Sequence, residues 1–292
     1  MKSFCSQCLI TLLLLIPYNL LATEIIFEYE TKNQVNVQDL IAAIHEADVV
    51  LLGEVHDNLF QHRARADLIS KIQNKEFAIV SEHLVFGSEI TYSGSLLEDL
   101  ETIGFNKKVW SWPVHEVLYK KFEELGLPVF GGNLSGKDIN HIYAGREFSQ
   151  LDTLTPIVER SALDNQSKDK LLNDLVVGHC GVVEEDFLSF MFKVQRLRDA
   201  SLAYIASKVA PAIVIAGNGH VRRDYGVPQI LKKMDPTGNI ISIAFLEIDK
   251  LSEMTDNNLI KKLFKDADTD YIWLTEAVSR VDPCEKLRGR RK

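Results

Sequence analysis

Two short stretches of the sequence each run from an apolar segment into a Gly-x-x-His turn. The first ends at His56 and follows residues 49–52, and the second ends at His220 and follows residues 213–216. A glycine after a buried strand permits a tight turn, so a histidine three residues later lies at the carboxyl end of that strand. Ligands bind at this edge in open α/β sheets. The two motifs therefore predict two imidazoles at a ligand-binding edge.

Carboxylates accompany these histidines. Glu54 lies inside the first motif, and Glu82 follows the apolar segment 77–81. Imidazole and carboxylate groups together suit Zn, Mn, Fe or Co, and an ion with an open coordination position activates water. Glu54, His56, Glu82 and His220 are therefore the candidate metal ligands and, if the protein is a hydrolase, the candidate catalytic residues. The alternative is that His56 only hydrogen-bonds and that Glu54 only accepts N–H groups at a helix start.

Further polar residues follow the predicted strands or share a helix face with one another. Asn133 comes after the segment 127–130, and Arg222 comes shortly after the second histidine motif. Arg198 shares a helical face with Gln195 and Asp199, so it is expected either to bind a carboxylate or propionate of a ligand or to form an ion pair. Three other histidines show no spacing that indicates ligation, and we expect ordinary roles for them: His83, His115 and His141.

The order of apolar segments predicts an α/β fold in which a mostly parallel sheet is flanked by helices, because strands alternate with helical stretches. The predicted strands are 49–52, 77–81, 127–130, 213–216 and 240–246. Helices are predicted at 59–73 and 114–125. Residues from about 148 to 210 contain no convincing strand, and the apolar spacing within 187–209 indicates one long amphipathic helix. We expect this region to be a smaller all-helical subdomain of a single domain, residues 23–292.

Residues 1–22 have the pattern of an export signal, in which Lys2 precedes a short apolar core. The alternative is an N-terminal anchor that is kept. No cysteine follows the core as a lipid acceptor, so we expect an exported periplasmic or secreted protein that is not evidently a lipoprotein. Cys180 and Cys284 are then expected to form a disulfide, since such compartments are oxidising. The net charge of −8 argues against nucleic acid as a partner.

Several longer motifs resemble the ChaN family of haem-binding, iron-regulated exported proteins, which is related to the Tiki and erythromycin-esterase superfamily. They are LGEVHDN at 52–58, HCG at 179–181, QRLRDA at 195–200, GNGHVRRDYGVP at 217–228 and DPC at 282–284. The resemblance implies an EreA/ChaN-like fold, haem as the cofactor and a role in haem or iron uptake. It also implies that Glu54, His56, Glu82 and His220 match the polar centre of the superfamily.

Two functions follow, and they belong to different classes. The first is an exported haem-binding protein that serves haem or iron uptake, with His56, Asn133, Arg198, His220, Arg222 and Tyr225 as candidate haem-binding residues. Its axial ligand stays open among several histidines and Tyr92, Tyr143 and Tyr225. A membrane uptake system and a second copy of the chain are the partners considered. The alternative is a divalent-metal-dependent hydrolase of the protease or esterase type, so the enzymatic status stays open.

Overall fold

The computed structural model describes residues 25–72, 76–181, 183–249, 257–282 and 284–285. The predicted export signal at 1–22 lies outside the described residues, as does the end of the helix predicted at 59–73. No helix in the described ranges is both long enough and apolar enough to cross a membrane.

Eight strands of the described chain form one sheet, in the order β2-β1-β8-β7-β3-β6-β4-β5. In chain order the strands are β1 Ile25–Glu28, β2 Gln34–Val35, β3 Val49–Leu52, β4 Ala78–Val85, β5 Val129–Asn133, β6 Ala212–Ile215, β7 Ile240–Ile248 and β8 Tyr271–Glu276. Strands β3 to β8 pair in parallel, and β1 pairs antiparallel with both β2 and β8. The predicted α/β class with a mostly parallel sheet is confirmed.

Helices cover both faces of this sheet. They are α1 Val37–Glu46, α2 Leu59–Lys71, α3 Leu96–Thr102, α4 Glu116–Glu124, α5 Gly136–Tyr143, α6 Leu151–Arg160, α7 Asn165–Gly178, α8 Glu185–Val209, α9 Val227–Met234 and α10 Asn257–Asp266. Strand β3 is buried along its whole length because alternate side chains face opposite layers. Val50 and Leu52 pack with α1, α2 and α4, whereas Val49 and Leu51 pack with α5, α6, α8 and α9.

The helical region between β5 and β6 shares its core with the sheet. Residues of α8 from Val194 to Ala206 belong to the same apolar cluster as Leu51 and Val80. Leu202 touches Gly132 near the carboxyl end of β5, so the first half of α8 extends beyond the carboxyl edge of the sheet. Helix α8 therefore covers one face of the sheet and also projects over the edge where ligands are expected.

Strand β4 is longer than the predicted segment 77–81. Its pairing with β5 continues past an irregularity in register to Val85, which lies opposite Asn133. Glu82 and His83 therefore lie inside the strand, and side-chain alternation directs them to opposite faces of the sheet. Backbone pairing with β5 extends β4 to Val85. The sequence did not indicate this extension, because the polar residues Glu82 and His83 follow the apolar segment.

The segment that follows β8 reaches the helical region at Cys284. Cys284 forms a disulfide with Cys180, which follows α7, and the predicted pairing is confirmed. Arg280, on the same terminal segment, forms ion pairs with Asp57 and Glu247. The disulfide and the ion pairs of Arg280 therefore hold the described part of this segment against the rest of the fold.

Candidate functional site

The two Gly-x-x-His turns contact each other at the carboxyl edge of the sheet. The N–H group of Asn218 donates to the carbonyl of Glu54 at 3.0 Å. A Cβ atom on Gly53 would lie 2.2 Å from the Asn218 side chain, and one on Gly217 would lie 3.0 Å from the imidazole of His56. Both glycines are therefore needed because the neighbouring turn occupies the space of a side chain.

Glu54 is the centre of a buried polar cluster. Its Oε1 lies 2.6 Å from Nδ1 of His56, 2.8 Å from Nε2 of His83 and 3.3 Å from Nε2 of His115. These four residues each offer one ligand atom, and all four atoms lie within 4.8 Å of one another. The arrangement has the residue types and the spacing that a divalent transition metal requires.

Arg65 closes the other side of this cluster. Its guanidinium group contacts Oε2 of Glu54 and also Nδ1 of His62, and all three side chains are buried. Burial alone raises the pKa of Glu54, but Arg65 and the imidazoles hold that pKa well below its usual range. Burial together with Arg65 lowers the pKa of His62 to about 2. The cluster therefore contains an ionised Glu54 and a neutral His62.

His56 connects the cluster to solvent. Its side chain is 42% exposed, whereas the side chain of Glu54 is fully buried. The ring of Trp110 packs edge-on against His56 at 5.0 Å and against His83 at 4.7 Å between centroids. Access to the buried carboxylate is therefore restricted to the open side of His56.

A second cluster surrounds His220 where α8 covers the carboxyl edge of the sheet, and it adjoins the first cluster at His56. Nδ1 of His220 donates to Oδ1 of Asp199 at 2.6 Å, and its Nε2 lies 3.2 Å from Oε1 of Glu82. Gln195, one turn before Asp199 on α8, lies 3.1 Å from the same Nδ1. Burial alone lowers the pKa of His220, but the two carboxylates raise that pKa to about 10. His220 is therefore an imidazolium held between two carboxylates.

The predicted metal set of Glu54, His56, Glu82 and His220 is divided between these two clusters. Glu82 faces His220 because it lies one residue before His83 on β4, and alternate residues of a strand point to opposite faces. Glu54 and His56 instead lie with His83 and His115, two histidines for which we predicted ordinary roles. Strand alternation, applied to a longer β4, was the one signal that could have separated Glu82 from His83.

The remaining candidate residues lie in different surroundings. Nδ2 of Asn133 donates to the carbonyl of Glu82, and its Oδ1 is buried without a partner among the described residues. Arg222 pairs with Asp224 and packs over the ring of Tyr225, whose hydroxyl donates to Asp174. Arg222 and Tyr225 line a cleft of about 640 Å³, but their polar atoms are already paired there.

Arg196 and Arg222 each lie within 4.0 Å of a carboxylate. Arg198 forms no ion pair with any residue in the described part of the chain. Its Nε is buried and has no hydrogen-bond partner there. Asp199 accepts a hydrogen bond from His220, and Ser201 donates to the carbonyl of Gly132, so Arg198 lies on a turn of α8 that faces the sheet edge. An unpaired guanidinium in this position is suited to a carboxylate of a ligand.

An exposed aromatic surface continues along α8 away from Arg198. Phe187 is 45% exposed and packs against Phe190, which in turn meets Tyr143 edge-on at 5.2 Å. Phe187, Phe190 and Arg198 fall on one stripe of the helix, since they are separated by three and eight residues. We call Tyr143, Phe187 and Phe190 the aromatic surface.

Comparison with known proteins identifies the family. A family model described as "Haem-binding uptake, Tiki superfamily, ChaN" matches residues 40–231. The chain belongs to this family. The ChaN resemblance carried by the sequence motifs is thereby confirmed. No curated protein matches the sequence.

A solved structure supports the ChaN fold. The structure described as "Cofacial heme binding to ChaN of Campylobacter jejuni" is 20% identical to this chain, with a TM-score of 0.66. The match covers 87% of this chain and 97% of that chain, and at this identity it supports the fold alone. A Bacillus cereus protein is 11% identical, with a TM-score of 0.44 and coverage of 83% and 92%, and no argument rests on it.

Proposed function

We propose that this member of the ChaN family binds haem and serves haem or iron uptake as an exported protein. The observation that carries the proposal is the match to a haem-binding uptake family over residues 40–231. The related protein of Campylobacter jejuni is described as binding haem cofacially. Haem would be the cargo of this chain.

The described residues offer what a haem needs on α8 and its neighbours. A porphyrin ring packs on apolar and aromatic side chains, and its propionates pair with cations. The aromatic surface supplies the aromatic side chains, and Arg198 supplies the cation. Eight residues separate Phe190 from Arg198, which places them about 12 Å apart along the helix axis. This separation suits a macrocycle that rests on the aromatic surface and points a propionate toward Arg198.

Tyr143 is the tyrosine best placed to act as the axial ligand. It is 71% exposed and belongs to the aromatic surface. Burial raises the pKa of Tyr225, and the hydroxyl of that residue is bonded to Asp174. The hydroxyl of Tyr92 is buried, and burial likewise raises its pKa. Haem iron accepts a tyrosinate ligand, so an accessible hydroxyl decides between the three tyrosines.

His179 is the competing ligand. Its side chain is exposed at the end of α7, and its Nδ1 donates to the carbonyl of Leu175 at 2.8 Å. A proton on Nδ1 leaves the lone pair on Nε2, which is the form of imidazole that binds iron. Tyr143 and His179 therefore define two alternatives that mutagenesis can separate.

The cellular setting forms part of the proposal. The signal-like pattern at 1–22 and the Cys180–Cys284 disulfide both support an exported protein in an oxidising compartment, periplasmic or secreted. The partner would be a membrane uptake system for haem or iron. We also propose that the helical region at about 148–210 acts as the subdomain that presents the cargo. A second copy of the chain could then cover the exposed aromatic surface.

Haemin titration of the purified protein tests the proposal. We expect a saturable shift of the Soret band at a defined stoichiometry. Tyr143→Phe or His179→Gln should change the position of the band, and Tyr271→Phe, on the far strand β8, should leave it unchanged. A response that never saturates would refute haem binding by this chain. A saturable response that neither variant alters would place the haem elsewhere, with the cleft beside Tyr225 as the next candidate.

The hydrolase alternative rests on the cluster around Glu54. A bound ion with an open position beside the half-exposed His56 could activate water, as metal-dependent hydrolases require. This function predicts turnover that is lost in His56→Ala.

A further inference from the structure

We propose that Glu54, His56, His83 and His115 bind one divalent transition-metal ion, with a coordination position open to solvent beside His56. The proposal does not rest on haem binding, because it concerns a different set of residues. Three observations support it: three imidazole nitrogens surround one oxygen of Glu54, hydrogen bonds orient the groups, and the side chain of His56 is partly exposed.

The first argument is that the imidazoles outnumber the lone pairs available to them. Three ring nitrogens lie 2.6, 2.8 and 3.3 Å from the same oxygen, Oε1 of Glu54. A carboxylate oxygen accepts about two hydrogen bonds. One of the three nitrogens is therefore surplus to the hydrogen bonding. His115 is the poorest partner at 3.3 Å, and its other nitrogen is buried with no hydrogen-bond partner among the described residues.

Outer partners orient the groups as they do around bound metals. Nδ1 of His83 lies 3.1 Å from both the hydroxyl of Ser81 and the hydroxyl of Tyr119, so its Nε2 is the nitrogen that faces Glu54. Arg65 contacts Oε2 of Glu54, which leaves Oε1 toward the imidazoles. Hydrogen bonds of this kind fix the tautomer and the direction of a metal ligand.

Contacts to both ring nitrogens explain why His62 is not a ligand. Its Nε2 lies 2.9 Å from the backbone carbonyl of His56, and its Nδ1 contacts Arg65. Both nitrogens are engaged, although the ring packs 4.1 Å from that of His115. The site thus separates three imidazoles that face the carboxylate from a fourth that supports them.

The donor set indicates which ions would bind. Three imidazole nitrogens and one carboxylate oxygen suit Zn²⁺, Co²⁺, Fe²⁺ or Mn²⁺ better than Ca²⁺ or Mg²⁺, which prefer oxygen ligands. Glu54, His83 and His115 are buried, and the side chain of His56 is 42% exposed. Water or a small ligand could therefore reach the ion only from the side of His56.

Titration with Co²⁺ or Zn²⁺ tests this site. We expect one ion per chain, and Co²⁺ should give the visible absorption of a four- or five-coordinate ion with nitrogen ligands. His83→Ala and His115→Ala should each weaken binding by more than the 10- to 100-fold that is typical for loss of an outer partner, and Ser81→Ala should fall roughly within that range. His141→Ala, at a histidine outside the cluster, should bind as the wild type does.

X-ray absorption spectroscopy of the zinc-loaded wild-type protein gives an answer that needs no variant. It should count about three imidazoles around the ion, as the four-residue set requires. Failure of the wild type to bind one equivalent of either ion would overturn the proposal, and so would a bound ion with fewer than two imidazoles. Equal affinity in wild type, His83→Ala and His115→Ala would overturn it as well, once circular dichroism shows that the variants are folded.

Discussion

Replacing His220 by glutamine should leave two buried carboxylates without the cation that lies between them. Glu82 and Asp199 lie 3.2 and 2.6 Å from the imidazole, and the next cation, Arg196, is 4.0 Å from Asp199. Removing one member of a buried ionic cluster typically costs about 3 to 5 kcal/mol of folding free energy. We expect His220→Gln to lower the free energy of unfolding at neutral pH by roughly that amount.

The pH dependence provides an independent estimate of the same quantity. The pKa of His220 is raised in the folded protein to about 10, from an ordinary value of 6.5. The folded state therefore holds its proton more tightly, so the stabilisation is fully present below pH 6.5 and is lost as the pH rises toward 10. The difference between 6.5 and about 10 corresponds to about 5 kcal/mol as an upper limit, which agrees with the range above.

Urea unfolding of both proteins between pH 6 and pH 10 measures the effect. The difference in unfolding free energy between wild type and His220→Gln should be largest near pH 6 and should shrink as the pH rises. His141→Gln serves as the control, because among the described residues its Nδ1 bonds to the exposed backbone carbonyl of Glu147. A loss below about 1 kcal/mol at neutral pH, or a difference that stays constant over this pH range, would refute the assignment of His220 as a buried imidazolium.

Three further predictions concern the turn, the ligand cation and the disulfide. Gly217→Ala should cost about 1 to 3 kcal/mol of stability, because the new methyl group would lie 3.0 Å from an imidazole, whereas Gly219→Ala, which has open space, should cost far less in the same unfolding experiment. Arg198→Gln should raise the Kd for haemin about tenfold, the equivalent of roughly 1.4 kcal/mol, and should change the melting temperature little; unchanged affinity would remove this residue from the haem site. Because the disulfide joins residues 104 apart, Cys180→Ser with Cys284→Ser should lower the unfolding free energy by roughly 2 to 5 kcal/mol, and a reducing agent should have this effect on the wild type alone.

The sequence predicted the central strands because each is a short, wholly apolar run that both layers of helices must bury. The segments at 49–52 and 213–216 correspond to the adjacent strands β3 and β6. It did not predict β1, β2 or β8. Strands β1 and β8 pair antiparallel at one side of the sheet, where partners brought from opposite ends of the chain form the hydrogen bonds.

The sequence by itself determined the family, the class of fold, the disulfide and the edge at which Glu54, His56 and His220 lie. These features depend on short stretches of sequence. An apolar segment followed by a glycine turn, for example, indicates where a buried strand ends. Tertiary structure alone decided which groups meet at that edge. His83 reaches Glu54 because β4 continues along β5, and His115 reaches it from the residue before α4, 61 positions away. No local spacing encodes these contacts, because helix and strand packing brings together residues that are distant in the chain.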